Sequence, residues 1–194
     1  MKKIIASVFV IAAIVLAQMT PALAAELIVA DFDAGEKPNN LGGDMGMWDK
    51  DPNDTTMYAR MAFVPDDALD NPDGYSLKMD YDIDSPNPAY NGFWMKLEGL
   101  DIETYKTLDL YVKGDKEQGY TKKFKIELKN ATGEVGKYTV TGIGDGWEKI
   151  SIPLEKFKAL KDKANMTEFV IVFDDMTSTK KVGTIYIDQI GFSD

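Results

Sequence analysis

Neither cysteine nor histidine occurs among the 194 residues. Without thiols there is no disulfide framework and no thiol nucleophile, so stability must come from a packed core or a bound ion. Without imidazole there is no serine–histidine triad and little basis for a catalytic zinc site, and carboxylates alone remain for acid–base work. Positive charge is scarce as well, with 22 Lys and Arg against 32 Asp and Glu. No basic stripe interrupts that excess, which excludes nucleic acid and anionic lipid surfaces as partners and leaves cations and neutral ligands.

Long apolar runs are also lacking, apart from residues 4–17. That run follows Met1-Lys2-Lys3 and leads through Gln18 and Pro21 to Ala22-Leu23-Ala24, the basic start, apolar middle and small-x-small end of a secretory signal peptide over residues 1–24. It is short for a bilayer span. No cysteine at the cleavage point offers a lipid attachment, so no membrane insertion is expected once it is removed. The basic, short leader looks bacterial, which places the mature chain in the periplasm or outside the cell. Losing Lys2 and Lys3 takes the formal charge from −10 to −12. The mature residues 25–194 have the size of one ordinary domain with a full core.

What is present in quantity is alternation. Leu77, Met79, Tyr81 and Ile83 alternate with polar residues; Leu108, Leu110 and Val112 alternate with Asp109, Tyr111 and Lys113; Phe124, Ile126 and Leu128 alternate with Lys125, Glu127 and Lys129. Period two predicts strands with one buried face. Residues 90–97 read the same way, with Phe93, Met95 and Leu97 on one side and Trp94 and Lys96 on the other. Residues 168–173 form a nearly continuous apolar strand, and Asn130-Ala131-Thr132-Gly133 is a hairpin turn. Leu154, Phe157 and Leu160 predict a single helix over residues 153–163. Nine to eleven short strands with one short helix, and no internal repeat or linker, describe an all-β antiparallel two-sheet jelly-roll sandwich.

The stretch that organises the chain is residues 30–48, ADFDAGEKPNNLGGDMGMW. Its Gly, Asn and Asp content predicts a loop that neither forms a helix nor packs a core, and Asp33 with neighbouring carbonyls suits a hard, oxygen-seeking cation such as calcium. The loop ends on Trp48, a candidate aromatic platform.

The opening Asp31-Phe32-Asp33-Ala34-Gly35, the middle residues 146–154 (GWEKISIPL) and the closing residues 185–192 (IYIDQIGF) resemble the carbohydrate-binding modules of the galactose-binding-like jelly-roll fold. The closest group is the family-eleven modules, with the related complex I intermediate-associated protein family. The resemblance covers the whole mature chain. It implies non-catalytic binding of a poly- or oligosaccharide, and a structural calcium between the first and last strands, here on Asp31 or Asp33 and Asp188. It also implies a sugar site of stacked aromatics and polar side chains on one sheet face or its loop edge. The candidates are Trp94, Lys96, Asp109, Tyr111, Lys125 and Glu127, joined by Trp48, Tyr58 and Arg60 from the loop side; Trp147 is assigned to the core. A periplasmic protein-interaction or assembly module of the same fold, meeting another exported protein, is the alternative. A jelly-roll glycoside hydrolase or lyase needs two carboxylates facing one cleft. Glu127 has no obvious partner for that, and Asp174 and Asp175 are expected on opposite faces of a strand.

Overall fold

The computed structural model describes residues 26–65, 68, 69 and 71–194; the expected signal peptide lies outside them. Eleven strands run in chain order: β1 (Glu26–Ala30), β2 (Met45–Asp49), β3 (Tyr58–Val64), β4 (Ser76–Asp82), β5 (Tyr90–Leu100), β6 (Thr107–Gly114), β7 (Lys123–Asn130), β8 (Val135–Thr141), β9 (Glu148–Pro153), β10 (Met166–Asp174) and β11 (Val182–Ser193). They form two antiparallel sheets. The first runs β3-β4-β11-β6-β9, with β1 also on β11, and the second runs β2-β5-β10-β7-β8. The two-sheet antiparallel sandwich expected from the alternation is therefore the fold.

The alternating residues point where their period demands. Leu77, Met79 and Tyr81 of β4, Leu108 and Leu110 of β6, and Ile185 and Ile187 of β11 are fully buried from the first sheet. Phe93 and Met95 of β5, Phe169, Ile171 and Phe173 of β10, and Phe124, Ile126 and Leu128 of β7 meet them from the second. Tyr81 and Phe173 stack across the two layers with ring centroids 4.2 Å apart. The buried Tyr81 hydroxyl accepts the Thr121 N–H at 2.7 Å and donates to the Lys180 carbonyl, so its polar end is satisfied. Asn91, wholly buried on β5, locks the sheets together by donating to the carbonyls of Tyr58 (2.7 Å) and Asp82 (2.9 Å).

Three expectations need correction. The helix over 153–163 is a single 3-10 turn, Leu154–Lys156. Leu154, Phe157 and Leu160 are all buried, but their spacing of three suits a 3-10 turn better than 3.6-residue winding. The segment lies instead against Gly136 of β8, where a Cβ would meet the Cβ atoms of Phe157 and Leu160 at 2.7 and 2.9 Å. Second, the glycine-rich stretch is not loop throughout, because its last residues form β2, and Met45 there is 1% exposed. Third, Trp147 is half-buried outside the core, with the Lys113 ammonium 5.3 Å from its ring centre. The buried members of that block are Ile152 and Leu154.

Candidate functional site

The Asn-rich loop before β2 determines where β2 lies. Asn39 is buried; its Oδ1 accepts the N–H groups of Leu41 (3.0 Å) and Gly43 (2.7 Å), and its Nδ2 donates to the Lys96 carbonyl on β5 at 2.8 Å. Gly43 sits so close to β5 that a Cβ would be 2.5 Å from the same Lys96 carbonyl oxygen. Held this way, β2 pairs with β5 and brings Trp48 onto the outer face of the second sheet.

On that face the register builds rows across the strands. One row runs Gly46, Trp94, Val170, Glu127 and Lys137 through β2, β5, β10, β7 and β8. The next runs Trp48, Gly92, Val172, Lys125 and Thr139. Lys96, Glu168 and Lys129 lie on one side of these rows, and Tyr90 opposite Asp174 on the other. All of these except Gly46, Gly92 and Thr139 line a groove of about 810 Å³. Its floor is apolar and small, made of Val170 and Val172. One wall is aromatic. The Trp94 indole lies against Gly46, where a Cβ would approach Cζ2 to 3.1 Å, and the Lys96 ammonium stands 5.4 Å from its ring centre. Trp48 meets Tyr90 edge-on with centroids 5.7 Å apart.

The opposite wall is ionic and fully paired. Glu168 bridges Lys129 (2.7 Å) and Lys96 (2.8 Å), Asp174 holds Lys125 at 2.6 Å, and Glu127 holds Lys137 at 2.8 Å. Burial pushes the Glu168 carboxyl up, but the Lys129 and Lys96 ammoniums outweigh it and leave the group below its ordinary range. Asp174 behaves alike: burial raises it, and Lys125 with the backbone N–H groups of Met176 and Thr177 brings it below. A glycosidase acid must instead be raised toward neutrality so that it still carries its proton. The shift of these two carboxylates runs the other way, toward the anion. Asp174 and Asp175 were expected on opposite faces, yet both line the groove, because β10 ends at Asp174 and Asp175 belongs to the following turn.

Of the residues singled out in the sequence, the groove gathers Trp48, Trp94, Lys96, Lys125 and Glu127. Tyr58, Arg60, Asp109 and Tyr111 are outside it, on β3 and β6 of the other sheet. The Arg60 guanidinium covers the Tyr58 ring at 4.5 Å. Asp109 is 4% exposed, and its Oδ2 accepts the hydroxyls of Ser193 and Thr107. Glu168, Lys129, Val170 and Val172 are not among the candidates that the sequence offers, and Asp174 enters there only as a possible catalytic carboxylate. A signal existed, since Glu168, Val170, Val172 and Asp174 occupy every second place on β10, but their apolar members made the strand look buried on both faces.

At the candidate cation site, β1 and β11 do lie side by side, with Leu27 opposite Phe192. Asp188 sits where β11 passes from β4 to β1. It is 1% exposed, with Oδ2 accepting the Leu69 N–H at 2.9 Å and Oδ1 the Gln189 N–H at 2.8 Å. Burial pushes its pKa up to about 6, and the charges of Asp33 and Asp31 add to the rise. Asp31 Oδ2 accepts Asn40 Nδ2 at 2.7 Å and Oδ1 accepts the Asp33 N–H at 3.2 Å. Among the described residues, no group of three or more acidic side chains is disposed to hold a metal by itself.

The fold is shared with solved carbohydrate-binding proteins. A family 11 carbohydrate-binding module from Clostridium thermocellum, in complex with a β-1,3-1,4-mixed-linked tetrasaccharide, superposes with a TM-score of 0.65 at 17% identity, covering 88% of this chain and 96% of that one. The family 11 module of the cellulosomal cellulase Lic26A-Cel5E of the same organism gives 0.64 at 15%, covering 88% and 95%. An exo-β-agarase gives 0.59 at 12%, with 86% of this chain matching 25% of that one. No curated protein matches the chain. The match to a family model sets the class, and the protein is a non-catalytic carbohydrate-binding module. Its family is a sister of the one its motifs most resemble: the carbohydrate binding domain 30 family model matches residues 40–194, and the chain belongs to that family. The family-eleven modules are its neighbours in fold.

Proposed function

We propose that this protein is an exported module that holds a neutral β-glucan chain in the groove on its second sheet. The observation that carries the reading is the composition of that groove: a tryptophan wall and a valine floor facing four lysines and four carboxylates that cancel one another's charge. Indole faces offer rigid contact to the C–H faces of pyranose rings, and paired ammoniums and carboxylates donate to and accept from hydroxyls without leaving a net field. An acidic polysaccharide would find no surplus of lysine in the groove and a net charge of −10 on the whole chain. The mixed-linked tetrasaccharide bound by the family 11 module is a neutral glucan of the class proposed. Calorimetric titration of the mature protein with that tetrasaccharide, and separately with polygalacturonate, tests the reading. Binding to the first and none to the second is expected. Binding to the acidic polymer alone would sink it, and silence toward both would move the lead to a protein partner.

A structural calcium at Asp31, Asp33 and Asp188 is part of the same proposal. The donor chemistry suits a hard cation, being all oxygen, with backbone carbonyls needed to complete six to eight ligands. Two observations favour it. Asp188 is a buried carboxylate whose ionised form is opposed by two neighbouring carboxylates. Left-handed backbone at non-glycine residues occurs beside these groups, at Phe32 (φ 57°) and Gln189 (φ 46°), a cost that folds retain chiefly where function requires it. Calcium at about a hundred times its dissociation constant would stabilise the fold by about 2.7 kcal/mol. For a domain of this size that is a rise of roughly 5–10 °C in Tm over the chelated protein. The same melt with Asp188→Ala should show no calcium response. Identical melts of the wild type in calcium and in chelator would remove the ion from the account.

A further inference from the structure

Met176 is 95% exposed, whereas Met45, Met57, Met79, Met95 and Met166 are buried. Its side chain is open, but the backbone that carries it is held. It is the third residue of a turn in which Asp174 Oδ1 accepts the N–H groups of Met176 and Thr177, both at 2.9 Å, and the Asp174 carbonyl accepts those of Thr177 and Ser178. Asp175 ties the turn to the neighbouring segment, its Oδ2 accepting the Ala89 N–H at 3.2 Å and its Oδ1 pairing with Lys181 at 3.2 Å. The same Asp174 reaches into the groove to hold Lys125. The Met176 backbone is thus fixed at the Tyr90 end of the groove, which its residue helps to line, and Tyr90, the register partner of Asp174, is itself 41% exposed. Two large apolar side chains on ordered backbone, both facing one end of a ligand groove, gain their burial only when something lies between them. An unbranched thioether is the side chain best able to follow an irregular C–H surface.

We propose that Met176 is a ligand-contacting residue that folds onto the C–H face of the sugar unit at the Tyr90 end and closes that end of the groove around the bound chain. This rests on the β-glucan reading of the groove. The test uses the mature protein, the mixed-linked tetrasaccharide, and Met176→Ala, Met176→Gln and Met176→Leu. The Ala and Gln variants should bind about tenfold more weakly, the size expected for losing one buried apolar contact, while Leu should bind within about threefold of wild type. Melting temperatures should not change, since the side chain is open to solvent. Hydrogen peroxide supplies an independent readout: it transfers one oxygen atom to the thioether sulfur, giving the sulfoxide, and is reduced to water. Saturating tetrasaccharide should slow that oxidation at Met176. If Trp94→Ala loses binding while Met176→Ala binds as wild type and the oxidation rate ignores the sugar, the Met176 proposal is overturned and the groove reading stands. If the wild type itself does not bind the tetrasaccharide, both are overturned.

Discussion

Replacing Trp94 with alanine is expected to weaken binding of the mixed-linked tetrasaccharide by about 2 kcal/mol or more, roughly thirtyfold, with no large change in Tm. The indole occupies the middle of the groove wall, one row from Trp48, and its position is set before any ligand arrives. Gly46 leaves it room to lie against β2, Lys96 stands over it, and Val170 is its register partner on β10. A platform already ordered loses little entropy on binding, which is why truncating it should cost more than truncating a mobile rim residue. Gly46→Val is the companion variant. Its side chain enters space where even a Cβ would stand 3.1 Å from the indole, so the ring must turn although Trp94 is intact. Calorimetry should place its affinity between wild type and Trp94→Ala. Wild-type affinity in Trp94→Ala would take the indole out of the site altogether.

Gly92→Ala should give the largest loss of stability of any small substitution on this sheet. A Cβ at residue 92 would lie 1.9 Å from the Ile171 carbonyl oxygen and 2.9 Å from its carbon. Both are backbone atoms of β10 and cannot swing aside as a side chain can. Glycine within a strand marks this kind of close backbone approach. Overpacking of a rigid contact costs about 3 kcal/mol or more, which for a domain of this size lowers Tm by roughly 10 °C. Because Gly92 is the register partner of both Trp48 and Val172, which line the groove, the variant should also bind sugar less well where it remains folded. A thermal melt within 2 °C of wild type would show that β5 and β10 can part without penalty.

How far the chain could be read in advance differs from element to element. β4, β6 and β7 carry period two with apolar residues on one side alone, so their buried faces were plain. β10 carries apolar residues on both faces, and that hid Glu168 and Asp174. β2 was hidden by Gly46 within it and the glycines before it, whose purpose became visible only with their neighbours: Gly43 against the Lys96 carbonyl and Gly46 against the Trp94 ring. The spacing of Leu154, Phe157 and Leu160 suggests a helix that the structure does not contain, because a spacing of three also suits a 3-10 turn and packing on Gly136 settles which.

The sequence by itself determined which side of each alternating strand is buried and that the chain folds as an antiparallel sandwich, since period two and frequent turn residues act locally. It also determined that neither thiol nor imidazole chemistry is available. Only the tertiary structure decided which outward faces belong together. Lys96, Lys125 and Trp94 share a groove while Asp109, Tyr111 and Tyr58 stand on the opposite sheet, although all looked equivalent as outward residues. The physical reason is that the strands meeting at the groove's centre are not neighbours in sequence: β10 inserts between β5 and β7, and Glu168 closes on Lys96 and Lys129 from 72 and 39 residues away. Side-chain alternation is a property of one strand, but a binding face is a property of how strands pair.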